Sequence, residues 1–106
     1  MNKEAEAAVA GAATVATLAV GEAMTIAAAP RLLALGCEHI AAGGSEVDLS
    51  SVSEVDSSAL AVLFGWQRAA VERGGPLRVL NAPRNLLSLA ELYGVADLPP
   101  IATAAS

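Results

Sequence analysis

The chain has 106 residues, a formal charge of −5 and an apolar fraction of 55%, with Phe64, Trp66 and Tyr93 its only aromatics. That length suits one domain with one core, which has to be built mainly from Ala, Val and Leu. A single lysine, Lys3, and the scattered Arg31, Arg68, Arg73, Arg78 and Arg84 form no basic stripe, so nucleic acid is not an expected partner.

Cys37 is the only cysteine, so no intramolecular disulfide can form and nothing calls for an oxidising compartment. The longest uncharged run, residues 7–21, is too short and too rich in Ala, Gly and Thr to span a bilayer. Glu4 and Glu6 beside Lys3 are unlike the positive start of a signal peptide. The expectation is a soluble cytoplasmic protein with no direct membrane insertion.

Along the chain, Val15, Ala16 and residues 18–20 suggest a first strand, with residues 4–10 as a hairpin partner; the alanines suit a helix equally well. Residues 24–42 read as a helix through Ile26, Leu32, Leu33, Leu35 and Ile40, ended by Gly43-Gly44. Pro30 either sits in the first turn of that helix or kinks it. "SEVDLSSV" is a short strand. Residues 57–73 form the best-marked helix, with polar caps at its start and Gly74-Gly75 after its end. "PLRVL" is a third strand, and "APRNLLSLAELYG" a helix with Pro83 near its start and Gly94 as terminator. Residues 99–106 read as a frayed tail, and residues 1–12 as a weakly defined N-terminal segment. Alternating strands and helices predict an α/β fold, a small sheet with helices packed against it.

Several chemistries have no residues to carry them. His39 lies two positions from Cys37, about 200° apart on a helix, so the pair cannot share a metal. No metal site and no cofactor are expected, and His39 reads as a structural histidine. There is no Gly-rich loop followed by Lys to hold phosphate. Ser57 and Ser58 occupy a strand-to-helix position that suits a hydrolase nucleophile, but the elbow pattern is missing. The chain reads as non-catalytic.

The polar residues concentrate at one junction. "VDLSSVSEVDSSALAVL" (residues 47–63) holds five serines and three acids between a strand and the long helix. One of Asp56, Ser57 and Ser58 is expected to cap that helix; a cap alone does not account for all three. On a helical wheel, Ala61, Phe64 and Arg68 fall within about 40° of Ser57. Ala59, Val62, Leu63, Trp66 and Ala70 fall opposite, which makes Trp66 a core residue. The first three turns are apolar nearly all round, so the helix is covered on more than one side, by a neighbouring helix or by another protein. Tyr93 is expected to pack the last helix on the sheet, Arg84 and Glu91 to be solvated, and Cys37 to be a small buried residue.

The junction resembles the signature of STAS domains, in which an Asp-Ser-Ser-Gly-Leu motif starts a helix. "LNAPRNLLSLAELYGVADLPP" and "TLAVGEAMT" are similar to the MlaB-type branch, subunits of the phospholipid-transport ABC complex that serves outer-membrane lipid asymmetry. The resemblance implies a STAS-like fold and a non-catalytic role: binding and supporting the transporter's ATPase subunit, with the permease reached only through the complex and the inner membrane approached from the cytoplasm. It places Asp56, Ser57 and Ser58 at the partner-binding helix start, with Ala61, Phe64 and Arg68 extending the surface. The alternative it implies is an anti-sigma-factor antagonist, with Ser57 phosphorylated by an anti-sigma kinase; Ala59 in place of the antagonists' glycine weakens that branch. An uncovered apolar helix face also allows weak self-association.

Overall fold

The computed structural model describes residues 17–104, with side chains as far as 102. The hairpin strand expected at residues 4–10 and the positions Val15 and Ala16 lie outside the described residues. Within them the order is β1 (Thr17–Ala19), α1 (Ala29–Ala41), β2 (Glu46–Asp48), α2 (Ser58–Glu72), β3 (Arg78–Leu80), α3 (Arg84–Leu92) and α4 (Ile101–Ala104). The three strands form a parallel sheet in the order β1-β2-β3, joined by α1 and α2 as crossovers. The expected α/β class is what the chain adopts.

Strand alternation divides the sheet. Leu18, Val47 and Val79 stand side by side in register and belong to the core. The neighbouring row is Thr17, Glu46 and Arg78. There Glu46 accepts a hydrogen bond from the Thr17 hydroxyl at 2.7 Å and pairs with the Arg78 guanidinium at 2.8 Å. The core is built from Val, Leu, Ile, Ala and Met, with Trp66 its one fully buried aromatic among the described residues.

α1 begins with Pro30 in its first turn, where the missing N–H costs nothing, so the reading without a kink holds. The residues before it, 24–28, are not helical: Met24 forms an isolated parallel bridge with Val55, and Ile26 is 75% exposed. Ile26 is therefore a loop residue rather than an apolar helix position. The helix stops at Gly43, whose φ of +105° suits glycine. His39, half-buried, lies over Gly44, and its Nε2 is 3.1 Å from the Glu46 carbonyl, which makes it a tie between α1 and β2.

α2 matches the reading from sequence, ending before Gly74 at φ +111°. α3 ends before Gly94 at φ +73°, as expected. Two corrections concern the C-terminal part. Tyr93 is 57% exposed beyond the last turn of α3 and does not pack on the sheet. The frayed tail is partly structured: Pro100 and Ile101 are buried, and α4 packs by β3. No helix among the described residues is long and apolar enough to cross a membrane.

Candidate functional site: the start of α2

The site is assembled where β2 runs out and α2 begins. Leu49 and Val52 are buried, so the serine-rich lead-in folds inward at two points and leaves Ser50, Ser51 and Ser53 outside. The Ser50 N–H donates to the Asp48 carboxylate at 2.9 Å, and the Asn81 side chain donates to the same oxygen at 3.1 Å. These two bonds, the Ser50 N–H first, hold Asp48 below the usual carboxylate range.

Asp56 makes the decisive contacts. Its Oδ1 accepts the Ser58 N–H at 2.9 Å and the Ser58 hydroxyl at 2.5 Å. Its Oδ2 accepts the Ile26 N–H at 3.0 Å, from a residue 30 positions away. The Ser58 hydroxyl, then the Ile26 N–H, then the Ser58 N–H lower the Asp56 pKa. Of the three candidates for the cap, Asp56 satisfies the first turn. Ser57 is already helical at φ −62°, ψ −21°, and its side chain caps nothing.

The backbone around Asp56 is tied as well. The Met24 N–H donates to the Glu54 carbonyl at 2.9 Å, and the Asp56 N–H to the Met24 carbonyl at 3.2 Å. The loop carrying Ile26 is thus held against the α2 start by two backbone bonds and one carboxylate.

Ser57 is exposed, and its hydroxyl has no hydrogen-bond partner among the described residues. Ala61 and Arg68 are exposed on the same face of α2 and Phe64 is half-buried. Arg68 makes no ion pair among the described residues. The five residues placed opposite on the wheel, Ala59, Val62, Leu63, Trp66 and Ala70, are all buried, joined by Leu60. One side of α2 is covered by α1: Gly65 faces Leu33, and the Trp66 indole N–H donates to the carbonyls of Leu32 and Leu33. Above that contact lies an apolar groove of about 330 Å³ lined by Ala29, Pro30, Leu33, Ser58, Ala61 and Val62.

The candidate residues therefore share one surface, with a free hydroxyl at its head and apolar ground beside it. Sequence reading missed Ile26, because the contact that places it there is tertiary. Among the described residues no base is brought to Ser57: His39 is engaged at the start of β2, and Asp56 at the helix N-terminus. No group of three His, Cys, Asp or Glu able to hold a metal occurs among the described residues.

Comparison with known families decides the kinship. A family model described as "Mlab, STAS domain" matches residues 7–100. The chain belongs to the MlaB-type STAS domain family. Among solved structures, this STAS domain resembles a Thermotoga maritima protein assigned as an anti-sigma factor antagonist, with 20% identity and a TM-score of 0.60. The likeness covers 74% of this chain and 73% of the other, and at that identity it concerns the fold. No curated protein matches the sequence. In this STAS domain the residue after the two serines is Ala59, fully buried, so its methyl group points into the core and away from the exposed face.

Proposed function

We propose that this STAS domain is a non-catalytic accessory subunit that binds and supports the ATPase of a phospholipid-transport ABC complex. It acts from the cytoplasm and reaches the permease and the inner membrane only through that complex. The observation that carries the reading is the state of Ser57: exposed and unbonded, with exposed Ala61 one turn along α2 and exposed Ile26 tied to the preceding Asp56. A polar group free to be met, set in apolar surroundings on a rigid helix start, suits a protein interface better than a reaction. Membership of the MlaB-type family supports the choice of partner. Replacing Ser57 by Arg or Glu is expected to abolish co-purification of the ATPase subunit while leaving the thermal melt unchanged. Normal co-purification by both variants would overturn the reading.

A second reading rests on the same exposed hydroxyl. Ser57 is open to a kinase, and the solved relative is assigned as an anti-sigma factor antagonist. Phosphate there would add nearly two negative charges at a helix N-terminus, which the helix dipole tolerates, but in an apolar interface the charges would expel a partner. Intact-mass measurement of the protein from its native cells separates the two: a phosphorylated fraction in some growth state supports the switch, and its absence in every state counts against it.

A further inference from the structure

Two helix starts meet at Asp56. On one side its Oδ1 takes both donors of Ser58, the N–H at 2.9 Å and the hydroxyl at 2.5 Å, in the first turn of α2. On the other side its Oδ2 takes the Ile26 N–H at 3.0 Å. Ile26 belongs to the turn that leads into α1: the Ala28 N–H donates to the Thr25 carbonyl at 2.9 Å, and the Ala29 N–H to the Ile26 carbonyl at 3.3 Å. α1 itself begins at Ala29. One carboxylate therefore joins the entry of α1 to the entry of α2. The apolar groove of about 330 Å³ lies between the same two entries, with Ala29, Pro30 and Leu33 from α1 and Ser58, Ala61 and Val62 from α2. Further along, the Trp66 indole bonds the Leu32 and Leu33 carbonyls and fixes the two helices there. At the mouth, the Asp56 carboxylate is the one side-chain bond from the α2 start to the turn before α1 among the described residues.

We infer that Asp56 is a positioning residue: by using both carboxylate oxygens at once it sets the spacing of the two helix starts, and with it the mouth of the groove and the place of exposed Ile26. The use of that fixed mouth in binding rests on the reading of the α2 start as the ATPase contact; the latch itself does not. What the latch requires is two acceptors. An asparagine side chain serves a helix start as well as an aspartate, but it offers one acceptor oxygen and an NH2 group in place of the other. Ser58 presents two donors from two residues away, and Ile26 one donor from 30 residues away. In Asp56→Asn the oxygen therefore stays with Ser58, and the NH2 group is left against the Ile26 N–H, donor facing donor. The α1 entry is released while the α2 entry keeps its cap.

The test is residue-resolved amide hydrogen exchange, read by NMR on the purified full chain at about pH 6, where aspartates are ionised. In Asp56→Asn the Ile26 amide is expected to exchange at least about tenfold faster, while those of Ser58 and Leu60 keep their wild-type rates. Asp56→Ala, with no acceptor, should free Ile26 and Ser58 together. Ser58→Ala should leave Ile26 protected, since Oδ2 is untouched. An unchanged Ile26 rate in Asp56→Asn, or equal acceleration at Ile26 and Leu60, would overturn the latch. Affinity for the ABC ATPase subunit recovered with the protein from native cells is the second readout, and Asp56→Asn should weaken it by about tenfold with Ser57 intact. If Asp56→Asn loosens Ile26 yet binds as tightly as wild type, the positioning role falls and the Ser57 reading stands. If wild type binds no ATPase, the partner reading falls and the amide rates alone decide the latch.

Discussion

The Trp66 indole occupies the space that a β-carbon on Gly36 would need. Gly36 lies in the middle of α1, fully covered, and the indole N–H reaches the carbonyls of Leu32 and Leu33 at 3.1 and 3.2 Å. Helices α1 and α2 are therefore locked together by one aromatic ring seated on a glycine.

Gly36→Ala separates two opposed effects. Helix propensity favours alanine by about 1 kcal/mol, whereas forcing a methyl group into a filled core costs about 1–3 kcal/mol. The overlap with the indole is direct, so net destabilisation is expected in urea unfolding. A second change, Trp66→Phe, should make the two substitutions less than additive, because the smaller ring gives back the space. Full additivity would mean that the two residues do not meet.

Asp56 sets an acid-sensitive tie. A carboxylate whose pKa is lower folded than unfolded adds stability that is complete above its unfolded value, at about pH 4, and is lost as pH falls through the folded value. Asp56 and Asp48 are both shifted in that direction. Asp56→Asn is expected to lower the urea midpoint at neutral pH, with the gap to wild type closing toward about pH 3. A gap of constant size across that range would show that the charge of Asp56 does not matter.

The two serines of the junction should behave differently. Ser58→Ala removes a hydroxyl bonded to Asp56 and should cost about 1 kcal/mol. Ser57→Ala removes a hydroxyl with no partner among the described residues and should leave stability unchanged. Equal losses in thermal melts would contradict the assignment of the cap to Asp56 and Ser58.

Ile101 tests the C-terminal packing. It is buried at the start of α4, and Ile101→Ala should cost about 2–5 kcal/mol, as truncation of an aliphatic side chain in a core does. A frayed tail would give no change.

Sequence legibility followed the strength of local signals. α2 was readable nearly to the residue because Asp56-Ser57-Ser58 and Gly74-Gly75 punctuate both ends of an unbroken pattern. The buried and open faces of α2 followed from its wheel, since an α-helix repeats its geometry whatever surrounds it. Ile26 was misplaced because apolar spacing continues through residues 24–42, while Pro30 in fact marks the first turn of a shorter helix. The docking of Ile26 on Asp56 joins residues 30 apart, and no local pattern encodes such a contact. α4 was missed because four residues after two prolines carry too little periodicity to register. A groove beside α3 escaped for a related reason: Arg84 reads as a solvated residue by itself, and only the tertiary arrangement sets it on one groove with Leu92 and Val55.

The most direct measurement is affinity purification of this protein from its native organism, followed by mass spectrometry of what accompanies it, with Ser57→Arg run in parallel. An ABC ATPase together with its membrane permease is expected on the wild-type protein, and neither on Ser57→Arg. Recovery instead of a small GHKL-type kinase, with phosphate on Ser57 and no transporter subunit, would contradict it and make that serine a switch.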